Sequence, residues 1–71
     1  MDDFSANFRA LRARSNISQE ELASALHVDR QTVSNWENGT NAPSFGYMIK
    51  IADYYCITLD ELVGRTVPAH A

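Results

Sequence analysis

The sequence predicts an all-α fold, a compact domain of five short helices, and three observations point there. A composition of 45 % hydrophobic and 21 % charged residues over 71 positions describes a chain that buries a core in one domain. The usual staples of so small a domain are missing: the one cysteine, Cys56, permits no intrachain disulfide and no zinc site built from several thiolates. Three glycines and two prolines are too few for a turn-rich all-β domain, whereas helix-start signals recur along the chain.

The elements follow in order. Phe4, Phe8 and Leu11 recur at i, i+4 and i+7, one helix face, over about Asp3 to Arg14, and Ser15-Asn16 break it. Ser18 to Glu21 is a capping box opening a second helix that buries Leu22, Ala23 and Leu26. His27-Val28 form a short joint. Asp29 caps a third helix with Val33 and Trp36 inward, and Asn38-Gly39 end it. After a polar loop, Ser44 caps a fourth helix over about Phe45 to Tyr55. Its apolar face holds Phe45, Met48, Ile49, Ile51, Ala52 and Tyr55. Thr58 to Glu61 is a second capping box, and Gly64 stops the last helix after Val63. Residues 1–64 therefore read as one domain and 65–71 as a flexible tail.

Several classes are excluded at this level. No run of 18 apolar residues exists to span a membrane, and no charged segment leads into an apolar signal sequence. A lone thiol fits a reducing cytoplasm. No nucleophile–base–oxyanion set and no glycine-rich phosphate loop stands out, so no enzyme and no cofactor is expected. His27, Cys56 and His70 lie too far apart to suggest a metal site, and Cys56 reads as a small buried hydrophobe. The net charge of −3 argues against indiscriminate binding of polyanions.

The second and third helices, joined by about three residues, have the layout of a helix-turn-helix, and Ala23 is small where they must approach. At 100° per residue, the third helix puts Val33 and Trp36 on one side. Gln31, Ser34, Asn35 and Asn38 lie opposite, flanked by Arg30. A solvated face usually mixes Glu and Lys; this one is amide, hydroxyl and guanidinium. Gln and Asn match adenine's N6/N7 edge, and Arg matches guanine or a phosphate. Trp36, at helical spacing from Val33, reads as core rather than as a stacking platform.

The runs Ile17-Ser18-Gln19-Glu20-Glu21-Leu22-Ala23 and Val28-Asp29-Arg30-Gln31-Thr32-Val33-Ser34-Asn35-Trp36-Glu37-Asn38-Gly39 resemble the lambda-repressor-like Cro/CI (XRE) family of helix-turn-helix DNA-binding proteins. Phe8, Leu11, Arg12, Pro43-Ser44, Ile51-Ala52 and Ile57 to Leu62 extend the likeness to about residues 4 to 64. The resemblance implies a five-helix lambda-repressor-like domain whose third helix enters the major groove. Arg30, Gln31, Ser34 and Asn35 match base-facing positions. Gln19 matches a glutamine that touches a phosphate and braces the recognition helix. Ser18 at the head of helix two, Asn38, and Thr40 match phosphate-facing positions, amides at a helix start serving the same end. Arg12 and Glu37 match positions expected to pair, which would keep the Glu37 carboxylate from repelling phosphate. The chain departs from the family at His27, where a turn glycine is usual, at Cys56, where Gly or Asn is common, and at Thr40, which replaces a frequent Lys or Arg.

Together these features imply a sequence-specific transcription regulator, a repressor binding double-stranded DNA as a homodimer in the cytoplasm, nucleoid-associated when on DNA. Tyr47 and Tyr54, one heptad apart and off the apolar face of helix four, are the expected dimer contact. With no room for an effector domain in this length, regulation would come from concentration, dimerisation or a partner protein. Two alternatives stay open. An antitoxin would be marked by a neighbouring toxin gene. A protein-interaction module that has lost DNA binding is favoured by the acidic charge and opposed by the polar face of helix three.

Overall fold

The computed structural model describes residues 4–64, which form five helices: α1 Phe4–Ser15, α2 Gln19–Leu26, α3 Arg30–Asn38, α4 Phe45–Tyr55 and α5 Leu59–Val63. The expected tail, Asp3 and His70 lie outside the described residues. Among those residues there is no strand, and no helix is long and apolar enough to cross a membrane.

Local chemistry sets nearly every boundary. Ser18 and Thr58 close full capping boxes with Glu21 and Glu61, while Asp29 and Ser44 accept N–H bonds from Thr32 and Tyr47. α1 runs one residue past the expected Arg14, because Asn16 supplies the left-handed turn at φ 61°. Left-handed residues also follow the other four helices: His27, Gly39, Cys56 and Gly64. His27 and Cys56 take this conformation without glycine's freedom, at a cost of about 1–2 kcal/mol each.

The core gathers Phe4, Phe8, Leu22, Ala23, Leu26, Val33, Trp36, Ile51, Ala52 and Leu62. α1 packs on α3 and α5, α2 on α3 and α4, and α4 on α5. An aromatic row crosses three helices: Phe4 stacks on Phe8 at 5.2 Å, Phe8 meets Trp36 edge-on at 5.9 Å, and Trp36 meets Tyr47 at 5.6 Å between centroids. Such pairs add about 0.5–1.5 kcal/mol each beyond burial.

Two expectations fail here. Cys56 is exposed, not buried. As the left-handed residue after α4 it lies past the helix's inward stripe. The apolar face of α4 is also rotated from its expected position. Only Ile51 and Ala52 are buried, Met48 and Tyr55 are partly so, and Phe45 and Ile49 stand 69 % and 39 % exposed. Tyr47 instead packs toward the core, because the large Trp36 ring reaches across to it. On a helical wheel Tyr47 and Phe45 flank the buried stripe on opposite edges, and the Trp36 contact lies on the Tyr47 edge.

Candidate DNA interface

Glu37 organises the region around α3. It is 3 % exposed, the one charged residue in the buried set. Arg12 grips it bidentately: Nε donates to Oε2, and Nη2 donates to Oε1 at 3.2 Å. Gln19 Nε2 donates to the same Oε1 at 3.0 Å, and Arg9 Nη1 donates to the Glu37 carbonyl at 3.1 Å. Arg12 Nη1 also donates to the Ile17 carbonyl at 2.9 Å, tying in the α1–α2 joint. The Glu37 hydrogen bond holds the Arg12 guanidinium above its ordinary pKa, against the opposing effect of burial. No buried side-chain polar atom among the described residues lacks a partner. Three elements thus meet on one carboxylate, so α3 is fixed in orientation relative to α1 and α2.

The joint between α2 and α3 is equally specified. Val28 N–H donates to the Ala23 carbonyl at 3.0 Å, and His27 N–H to the Ser24 carbonyl at 3.2 Å. This is the helix-ending pattern that the left-handed His27 permits. Asp29 then caps α3. The Thr32 hydroxyl, and after it the Thr32 amide, holds the Asp29 carboxyl below its ordinary pKa.

With Val33, Trp36 and Glu37 facing inward, the opposite side of α3 carries Gln31, Ser34, Asn35 and Asn38. Gln31 and Asn38 are exposed, Ser34 and Asn35 half-buried. They bond along the helix, Gln31 Nε2 to Asn35 Oδ1 at 3.0 Å and Asn38 Nδ2 to Ser34 Oγ at 3.5 Å. Arg30 leans back onto α2, its Nη1 3.4 Å from Gln19 Oε1. Gln19 therefore links Arg30 to Glu37 and braces both ends of α3. Ser18 Oγ accepts the Glu21 amide at 3.0 Å, and Thr40 is exposed just past α3. Tyr54 is exposed on α4, while Lys50 Nζ lies 5.2 Å from the centre of the Tyr47 ring.

Sequence reasoning missed Arg9, whose contact joins residues 28 positions apart and leaves no local signature. The Gln31–Asn35 and Ser34–Asn38 pairs were findable, since i and i+4 residues are neighbours on a helix. No group of three or more His, Cys, Asp or Glu able to hold a metal occurs among the described residues.

A helix-turn-helix locked at its joint, with an amide-rich outer face on its second helix, defines a DNA-binding class of protein. The chain matches the helix-turn-helix family over residues 8–62 and belongs to that family, in its Cro/CI type, whose members are DNA-binding transcription regulators. It is 34 % identical over 61 residues to the HTH-type transcriptional activator BcrR of Enterococcus faecalis, covering 86 % of this chain and 30 % of that protein. It is 35 % identical over 60 residues to the cryptic phage CTXphi transcriptional repressor RstR of Vibrio cholerae, covering 84 % and 54 %. The chain thus spans under a third and about half of these two relatives. The crystal structure of a transcriptional regulator from Listeria innocua superposes with a TM-score of 0.89 at 26 % identity, over 97 % of this chain and 64 % of that one.

Proposed function

We propose that this protein is a sequence-specific repressor that occupies a near-palindromic operator as a homodimer, α3 of each protomer lying in the major groove of a half-site. One observation carries the reading. The outward face of α3 holds Gln31, Ser34, Asn35 and Asn38 without an acid, while its single carboxylate, Glu37, is buried and neutralised by Arg12. Arg30, Gln31, Ser34 and Asn35 would face bases, with Arg30 released from Gln19 to reach the groove. Ser18, Gln19, Asn38 and Thr40 would face phosphates. The relatives include an activator and a repressor. Repression is proposed because occupancy alone achieves it sterically, with no contact to polymerase required.

The two-fold contact is assigned to α4 around Tyr54, with Tyr47 contributing only the edge that Trp36 leaves free. No catalytic group and no cofactor enters the mechanism, and the setting is the cytoplasm, on the nucleoid when DNA-bound. A regulatory partner protein would act on the free face of the dimer.

The test is selection of bound sequences from random DNA, followed by titration on the selected and scrambled duplexes at several salt concentrations. Gln19→Ala should weaken both duplexes alike, because phosphates carry no sequence information. The log–log salt slope should be shallow, about −0.9 per phosphate neutralised, since Lys and Arg number six in the chain. Equal affinity for both duplexes would overturn sequence-specific recognition and favour a protein-interaction module. Sedimentation of a Tyr54→Glu variant as a monomer, with helicity intact, is the expected sign of the α4 contact.

A further inference from the structure

A helix ends with its last carbonyls unpaired and a partial negative charge of about half a unit at its C-terminus. At the end of α3 that charge lies beside Asn38 and Thr40, the residues assigned to phosphates. Gly39 and Thr40 return their amides to the Trp36 and Asn35 carbonyls. The Glu37 carbonyl is taken instead by a side chain of another helix, Arg9 Nη1 of α1, at 3.1 Å. α1 runs close here: a Cβ at Gly39 would stand 3.6 Å from Ser5 Oγ, one turn before Arg9.

Arg9 is exposed, and a carbonyl partner leaves its charge whole. Arg12, one turn further along α1, has its charge cancelled by the Glu37 carboxylate, whereas Arg9 pairs with no carboxylate among the described residues. The chain past Glu37 offers no cation of its own, since Asn38, Gly39, Thr40, Asn41 and Ala42 are all uncharged. A guanidinium carries five N–H donors in a planar fork. Glu37 engages Nη1, so the edge formed by Nε and Nη2 stays whole, the edge that grips two oxygens of one anion.

We infer that Arg9 binds a DNA phosphate at the C-terminal end of α3, through the donors that the Glu37 carbonyl leaves free. The inference rests on the DNA-binding reading and adds to it a contact supplied by α1. The bond to Glu37 fixes the guanidinium before contact, so less freedom is lost on binding. A residue that only braced α3 would act through stability. A phosphate contact releases counterions, so it registers in the salt dependence, and it does so alike for every DNA sequence.

The experiment is titration of the parent chain, Arg9→Gln, Arg9→Lys and the double variant Arg9→Gln/Thr40→Lys on selected and scrambled duplexes over a range of salt. Arg9→Gln should lower the magnitude of the log–log slope by about 0.9 and weaken binding to both duplexes about five-fold at about 0.15 M salt. Arg9→Lys keeps the charge and should hold the slope. Thr40→Lys in the Arg9→Gln chain should restore the slope but not the lost thermal stability, because it replaces the charge and not the Glu37 contact. An Arg9→Gln slope equal to the parent's, with DNA binding retained, overturns the inference and leaves the DNA-binding reading standing. No binding by the parent chain to any duplex overturns both. Helicity of each variant is measured alongside. Should Arg9→Gln be unfolded, the parent chain decides: its Arg9 Nε–H resonance should move on addition of duplex, and an unmoved resonance overturns the inference.

Discussion

The α2–α3 and α4–α5 pairs are joined in the same way and do different things. In each, a helix ends on a left-handed residue that is not glycine, His27 or Cys56, at φ 61° and 58°. In each, the next residue, Val28 or Ile57, returns its amide to an alanine carbonyl at 3.0 Å, Ala23 or Ala52. A side-chain cap then starts the second helix, from Asp29 or Thr58. Yet α3 has nine residues, a polar outer face and a buried carboxylate latched to α1, whereas α5 has five residues and buries Leu62. The joint is thus a way of turning a corner. On the proposed function, what makes one corner a DNA-reading element is the length, the outer face and the anchoring of the helix that follows it.

The sharpest way to break the comparison is to remove the anchor that only α3 has. Glu37→Ala leaves Arg12 without its carboxylate and should cost about 3 kcal/mol, read as a lower urea midpoint. Arg12→Ala should cost a comparable amount, and the double variant less than the two together, because both act through one interaction.

Capping tests a feature that both pairs have, since Ser18 at the head of α2 and Thr58 at the head of α5 each close a full capping box. Ser18→Ala and Thr58→Ala should each cost about 1 kcal/mol in thermal unfolding. On the proposed function, Ser18→Ala should weaken DNA binding as well, while Thr58→Ala should not.

The left-handed residues come next. His27→Gly and Cys56→Gly should each raise stability by under about 1 kcal/mol, the relief of strain being offset in part by the greater freedom of glycine in the unfolded chain. Gains of opposite sign would show that the two joints are not equivalent.

The smallest effect separates the caps by charge. The Asp29 carboxyl is held below its ordinary pKa in the folded state, so its contribution is full above about pH 4 and fades as pH falls through the lowered value. Asp29→Asn should therefore flatten the acid limb of stability against pH. Thr58, an uncharged cap, gives α5 no such dependence.

Most of this architecture is written locally. A cap, an apolar repeat and a stop residue lie within a dozen positions of one another, so all five helices and the inward Val33 and Trp36 are legible along the chain, whereas the turns at His27 and Cys56 are marked only by the resemblance, which puts Gly or Asn there. The polar face of α3 is legible for the same reason, since helical periodicity alone sorts it. Some features are not. Cys56 reads as a buried hydrophobe by type, but its place just past a helix end puts it at the surface. Residue periodicity shows that α4 has an apolar stripe without showing which edge turns inward. Trp36, eleven residues before Tyr47, packs its ring against Tyr47, while Phe45 on the other edge stands exposed. The helices, their order and the polar chemistry of the outer α3 face follow from the chain alone, because those rest on backbone capping and short-range spacing. The Arg12–Glu37 pair, expected from the resemblance, is present, but the Arg9 contact to the Glu37 carbonyl and the choice of α4 edge emerge only once the helices are packed. The contacts responsible, Arg9 to Glu37 and Trp36 to Tyr47, join separate helices, and their geometry is settled by packing rather than by spacing along the chain.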